Sequence, residues 1–159
     1  MKPNIIDELG VLAIGSRMRR LYDNLSSDTA RIYADHELEF EIKYFTLFYI
    51  ISRRKQIGIV DIAQELSLTH PAIIHLAKGL EKKGYIESVR SPDDNRKRIL
   101  QLSKKGKKCL PEFEKVWSKL DSLNQQLFAA IHPLLQTMAA IEQTLEETSY
   151  YKRYQKFNQ

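Results

Sequence analysis

Apolar and polar positions divide the chain into helical flanks around one short segment where the period changes. Between Asn4 and about Ser26, Leu9, Leu12, Leu21 and Leu25 recur at spacings that fit one side of a helix. Ser27 to Ala34 either continues that helix or begins another, and the pattern allows both. Ile42 to Ser52 is almost wholly apolar but too short to cross a bilayer, so it reads as a buried element. Its aromatic and β-branched residues favour strand locally. The helix-turn-helix that follows needs a helix to pack on, and this predicts helix instead.

Ile59 to Leu66 forms that motif's first helix, with Ile62, Ala63 and Leu66 inward and Ser67-Leu68-Thr69 as the turn. Thr69 is a good N-cap, Pro71 falls in the first turn of the second helix, and Gly84 ends it. Ile73, Leu76 or Ala77, and Leu80 make the inward stripe. Tyr85 to Arg90 and Arg98 to Leu102 then read as strands: Leu100 and Leu102 alternate cleanly with Ile99 and Gln101, and the first strand alternates less well. Ser91-Pro92-Asp93-Asp94-Asn95 between them is turn chemistry. Ser103 caps a further helix, along which Phe113, Val116, Trp117, Leu120, Leu123, Leu127 and Ile131 return to helical spacing. Pro133 interrupts it; Leu134, Leu135, Met138, Ile141 and Leu145 mark another helix. Residues 151–159 read as a polar, aromatic tail that frays. The predicted class is mainly α with a small β-hairpin wing, a winged helix-turn-helix between N- and C-terminal helices.

Charge placement gives this architecture a candidate surface. The chain of 159 residues has a net charge of +5. Residues 53–108 hold 14 Lys and Arg against 6 Asp and Glu, a net of +8, and the remainder is net acidic. A basic excess on the helix-turn-helix and hairpin is what a polyanion-binding surface requires. On the second motif helix, Thr69, His70, Pro71, Ile74, His75 and Lys78 lie outward. An exposed Ile74 among hydrogen-bonding and cationic residues suits a major groove, where it can meet a thymine methyl. The alternative is that Ile74 packs on a neighbouring subunit or helix. Arg90, Asp94, Arg96, Lys97 and Arg98 line the hairpin and its tip; a tip arginine suits a minor groove, with Asp94 able to hold Arg96 extended.

The string Asp94-Asn95-Arg96 through Leu100-Gln101-Leu102-Ser103-Lys104-Lys105-Gly106 resembles the D-x-R…L-x-L-[ST]-x-x-G signature of the MarR family. Asp61-Ile62-Ala63-Gln64-Glu65-Leu66 and Leu80-Glu81-Lys82-Lys83-Gly84-Tyr85-Ile86 are similar to two further segments of that family, in register. Gly58 and Val60 stand where Ser or Thr commonly caps the first motif helix. The resemblance implies a homodimer whose subunits each have six helices and a β-wing. Residues 1–34 and 111–150 would form the dimerisation region and residues 35–108 the DNA-binding region. It further implies a major-groove helix over His70 to Lys78 and Arg96 as the wing arginine, with Asp94 its partner. Many relatives are repressors released by small phenolic or lipophilic ligands.

Other chemistry is thinly represented. No Gly-rich phosphate loop, nucleophile elbow or carboxylate pair in an evident cleft stands out, so catalysis is not expected. His70 and His75 lie roughly 140° apart around a helix and cannot chelate as an i, i+4 pair; His36 and His132 are isolated, and neither a metal nor another cofactor is expected. Cys109, the single cysteine, reads as a quiet thiol in a reducing, cytoplasmic setting. The first fourteen residues lack a signal-peptide pattern and no stretch suits a membrane span. Tyr22, Tyr33, Tyr44, Phe45, Phe48 and Trp117 could wall a pocket for a small aromatic or lipophilic effector, or form ordinary core. The sequence therefore points to a DNA-binding, ligand-responsive repressor. The rivals are a winged-helix protein-interaction module and a ligand-binding or catalytic helical protein without DNA binding.

Overall fold

A computed structural model describes residues 4–90, 98–128 and 133–156. The chain divides into two compact units, Met1–Val116 and Trp117–Gln159. In the first unit, α1 (Ile5–Glu8) opens on Asn4, whose side chain accepts hydrogen bonds from the amides of Ile6 and Asp7. Gly10 then takes φ +56° and a 3₁₀ turn over Gly10–Ala13 leads into α2 (Ile14–Asp35). The single helix expected from Asn4 is thus interrupted, because Gly10 takes a left-handed conformation that no helix continues through. Beyond it, Ser27 to Ala34 continues α2. That helix closes at Glu37 (φ 57°), with the Glu37 amide on the Ala34 carbonyl and the Leu38 amide on that of Tyr33.

A 3₁₀ turn over Ile42–Tyr44 enters α3 (Phe45–Arg54), so helix prevails over local strand preference. Leu47, Phe48, Ile50 and Ile51 are its buried residues. Strand β1 (Gln56–Gly58) follows, then α4 (Ile59–Glu65), α5 (His70–Lys82), β2 (Ile86–Arg90), β3 (Arg98–Leu102) and α6 (Lys104–Phe128). The sheet has three antiparallel strands in the order β1-β3-β2, where the sequence predicts a two-stranded hairpin. β1 pairs Gln56 with Gln101, Ile57 with Leu100 and Gly58 with Ile99. Three residues between two helices are too few to show alternation, and their partner strand lies more than forty residues away.

An aromatic cluster fills the first unit's core. Phe40 packs edge-on to Tyr33 (4.9 Å between ring centroids), Phe48 (5.5 Å), Tyr85 (6.0 Å) and Phe113 (4.8 Å). Such pairs add about 0.5–1.5 kcal/mol each beyond the area they bury. His36 is not isolated: its Nδ1 lies 2.7 Å from the Glu112 carboxylate, joining the end of α2 to α6. Pro111 lies inside α6, so the helix forgoes one backbone hydrogen bond there.

In the second unit, α7 (Pro133–Glu147) starts at Pro133, where a missing N–H costs nothing. Residues 150–156 form α8 (Tyr150–Lys156) instead of fraying. Arg153 stabilises it by donating to the carbonyls of Thr144 (2.6 Å) and Thr148 (3.0 Å), which terminate α7. Neither α7 nor α8 has a buried residue. Among the described residues, no helix is long and apolar enough to cross a membrane.

Candidate nucleic-acid interface

The helix-turn-helix is built by local chemistry at three points. The turn closes α4 with Ser67 at φ 51°, its amide on the Gln64 carbonyl (3.2 Å) and the Leu68 amide on that of Ala63 (3.0 Å). This arrangement satisfies carbonyls that a helix end leaves open, at the cost of a non-glycine residue in the left-handed region. Thr69 caps α5 by accepting the Ala72 amide at 3.4 Å, and Pro71 sits in its first turn. At the far end Gly84 (φ 76°) repeats the closure: its amide reaches the Glu81 carbonyl, and the Tyr85 amide reaches that of Leu80.

Gly58 opens α4 with no side-chain cap, and the Asp61 carboxylate folds over it; a Cβ there would lie 2.7 Å from Asp61 Oδ2.

The second half of the family-like signature, Leu100–Gly106, lies among the described residues. Leu100 and Leu102 are buried. The Ser103 hydroxyl donates to the Gly84 carbonyl and accepts the Gly106 amide at 3.0 Å. Gly106 lies so close to the Tyr85 carbonyl that a side chain would overlap it. The start of α6 is therefore locked to the junction between α5 and β2.

On α5, Ile73, Ala77 and Leu80 form the buried stripe; the choice between Leu76 and Ala77 falls to Ala77, with Leu76 half-buried. Thr69, His70, Pro71, His75 and Lys78 are exposed. Among the described residues, the side chains of His70, His75 and Lys78 have no hydrogen-bond or ion-pair partner. Ile74 is half-buried, not exposed as the sequence suggests, because it borders the buried stripe at Ile73 and Ala77.

Arg90 is exposed at the base of the hairpin, opposite Arg98 in register. Arg98, with 49% of its side chain exposed, is engaged by its own chain: its guanidinium donates to Ser88 Oγ at 2.6 Å and to Glu81 Oε1 at 3.3 Å. Asp94, Arg96 and Lys97 lie outside the described residues.

The basic excess separates into committed and available charge. Lys83, with 16% of its side chain exposed, bridges Glu39 (2.8 Å) and Glu41 (3.8 Å). Its ammonium holds the Glu39 carboxyl below its ordinary range. Lys105 donates to the Lys83 carbonyl and lies 4.5 Å from the Tyr85 ring centre. Arg53 pairs with Glu114 and Arg54 with Glu65. Lys78, Arg90, Lys104, Lys107 and Lys108 are exposed and have no ion pair with an acidic group among the described residues, and exposed Lys82 adds its charge to the field that lowers the Glu39 carboxyl. These are the charges a polyanion can meet.

The aromatic residues considered for an effector pocket do not share one environment. Tyr33, Tyr44 and Phe48 are buried in the core, Phe45 stacks near Tyr49 (5.6 Å), and Tyr22 is 44% exposed on α2. Trp117 belongs to the second unit. A cleft of about 610 Å³ lies elsewhere, lined by Ser52, Arg54, Gln56, Gln101 and Lys107 among others. Among the described residues, no group of three or more His, Cys, Asp and Glu is placed to hold a metal ion. Cys109 is half-buried. Sequence reasoning missed Glu81 and Ser88 as parts of the interface's frame; their only signal is an acidic residue in the last turn of α5, where a helix end disfavours it.

Residues 42–97 match the MarR family model. The HTH-type transcriptional regulator BilQ of Clostridioides difficile (strain CD3) is 29% identical over 79 residues, covering 50% of this chain. That match spans about half (53%) of the relative's length. Among solved structures, the transcriptional regulator BldR of Sulfolobus solfataricus is similar over 91% of this chain and 99% of its own, with a TM-score of 0.59 and 19% identity. The transcriptional repressor CouR, bound to a 23-mer DNA duplex, is similar over 84% and 95%, with a TM-score of 0.63 and 23% identity. These likenesses establish a shared winged-helix fold. Over residues 42–97 the chain is similar to the MarR family.

Proposed function

We propose that the protein is a sequence-specific, DNA-binding transcription regulator that acts as a homodimeric repressor in the cytoplasm, by binding and not by catalysis. The observation that carries this reading is the exposed row of His70, Pro71, His75 and Lys78 on α5, unengaged among the described residues, beside Arg90. A helix presenting cationic and hydrogen-bonding groups on a rigid turn fits the major groove. Thr69 and the exposed lysines supply phosphate contacts that position the helix. Arg96, Lys97 and Asp94 are assigned to the wing on the resemblance, with Arg96 in the minor groove.

Dimerisation is supported by apolar side chains left in water. Val11 is 90% exposed and Leu12 81%, and Ile14, Met18 and Leu21 continue the face along α2. In the second unit Leu135 is 76% exposed. Contiguous apolar surface of this kind marks an interface. Residues 1–34 and 111–150 are therefore assigned to the dimer, which would hold two α5 helices about one DNA turn, ~34 Å, apart. A small aromatic or lipophilic effector would act by favouring a dimer geometry that mismatches that spacing.

Enriching bound fragments from genomic DNA tests the reading. Recovery of an inverted repeat is the expected result; no enrichment overturns it. Duplex binding that falls steeply with salt separates it from a protein-interaction module.

A further inference from the structure

We infer that Glu81, Ser88 and Arg98 form a positioning network that sets the hairpin against the recognition helix, and that Arg98 serves this network instead of contacting DNA. The inference rests on the DNA-binding reading above. Antiparallel pairing places Arg98 directly opposite Arg90. Like charges in that relation repel. Strand alternation puts Ser88, Arg90 and Arg98 on the same face as Ile86, Leu100 and Leu102, which are buried. Arg98 therefore starts on the side of the hairpin that faces the helices.

From the last turn of α5, the Glu81 carboxylate accepts the Ser88 hydroxyl and the Arg98 guanidinium, while Arg98 also donates to Ser88 Oγ. One carboxylate thus joins α5, β2 and β3 and offsets the repulsion between the paired arginines. Local propensity argues against Glu81, since the C-terminal end of a helix carries partial negative charge. A locally disfavoured residue that accepts two cross-element hydrogen bonds has a tertiary task. Glu81 is 26% exposed and Arg98 49%, so the carboxylate end of the pair is the more shielded from water. With the hairpin's angle to α5 set in the free protein, DNA need not order it on binding, and that ordering cost is avoided.

The test compares Glu81→Ala, Ser88→Ala and Arg98→Gln in the full chain, using duplex affinity as a function of salt. Alanine suits the last turn of α5, so Glu81→Ala preserves the helix. Each variant is expected to weaken the enriched duplex by about tenfold, with the salt slope unchanged and the Glu81→Ala/Arg98→Gln pair no weaker than either alone. If Arg98 contacts a phosphate, Arg98→Gln lowers the slope by about one and Glu81→Ala tightens binding; that result overturns the inference. Amide exchange in β2 and β3 provides a readout without DNA: faster exchange in Glu81→Ala is expected, and unchanged exchange overturns the network. If the wild-type chain binds no duplex, the DNA-binding reading fails and the positioning role with it, while exchange still reports whether the three residues hold the hairpin.

Discussion

Gly106 and the Tyr85 carbonyl touch so closely that no side chain fits between them, although they are separated by the whole hairpin. The contact brings the first turn of α6 against the chain where α5 gives way to β2. The obstacle is backbone, and the hydrogen bonds of Ser103 to Gly84 and Gly106 hold it in place. Gly106→Ala is therefore expected to destabilise the protein by about 2–3 kcal/mol, measured from the denaturant midpoint.

Gly79 meets the phenol ring of Tyr44, which would overlap a Cβ at this position of α5. A ring shifts more easily than backbone, so Gly79→Ala is expected to cost about 1–2 kcal/mol, less than Gly106→Ala. In a Tyr44→Ala background the clash disappears and alanine's helix propensity remains. There Gly79→Ala should stabilise by up to about 1 kcal/mol, a change of sign that a double-mutant cycle reads directly.

Thr69→Ala removes the side-chain acceptor at the start of α5. At 3.4 Å the hydrogen bond is long, so the loss is expected at the low end for such caps, about 0.5–1 kcal/mol in thermal or chemical unfolding.

For DNA binding, Arg96→Ala should weaken all duplexes alike and lower the salt slope by about one, whereas His75→Ala and Lys78→Ala should change which sequences are preferred. Competition between the enriched duplex and scrambled DNA checks both. Equal loss on specific and scrambled DNA for His75→Ala would remove it from base recognition.

The Glu112 carboxyl is held below its ordinary range by Lys115 and then by His36. Asp7, beside Arg20, and Glu39, beside Lys83, are held low as well. A carboxylate depressed in the folded state contributes stability that is present above its unfolded pKa and lost as pH falls through the folded value. Stability should therefore drop as the solution is acidified below about pH 4.5, and Glu112→Gln should flatten part of that drop. An unchanged acid limb in Glu112→Gln would show that the His36–Glu112 contact contributes nothing to it.

Short-range chemistry accounts for what could be read in advance. Thr69, Gly84 and Ser103 cap or terminate elements through groups within a few residues, so their roles are visible in the string itself. The inward stripe of Ile73, Ala77 and Leu80 follows from helical period, and Leu100 and Leu102 from strand period. The outward row on α5 follows from the same geometry, and only Ile74 departs from it, being half-buried beside the stripe. The tail shows the opposite case: polar and aromatic residues without a clear stripe become α8 once Arg153 finds the end of α7.

By itself, the sequence determined the helix-turn-helix, the hairpin, the basic excess around them and the family signature, because spacing, caps and turn residues act locally. The tertiary structure alone decided that β1 completes the sheet, that His36 meets Glu112, that Tyr33, Tyr44 and Phe48 are core, and that Arg98 reaches Glu81. Each of those depends on which faces meet across long stretches of chain. Periodicity tells a residue which side of its own element it occupies, but its partner is chosen only when elements pack.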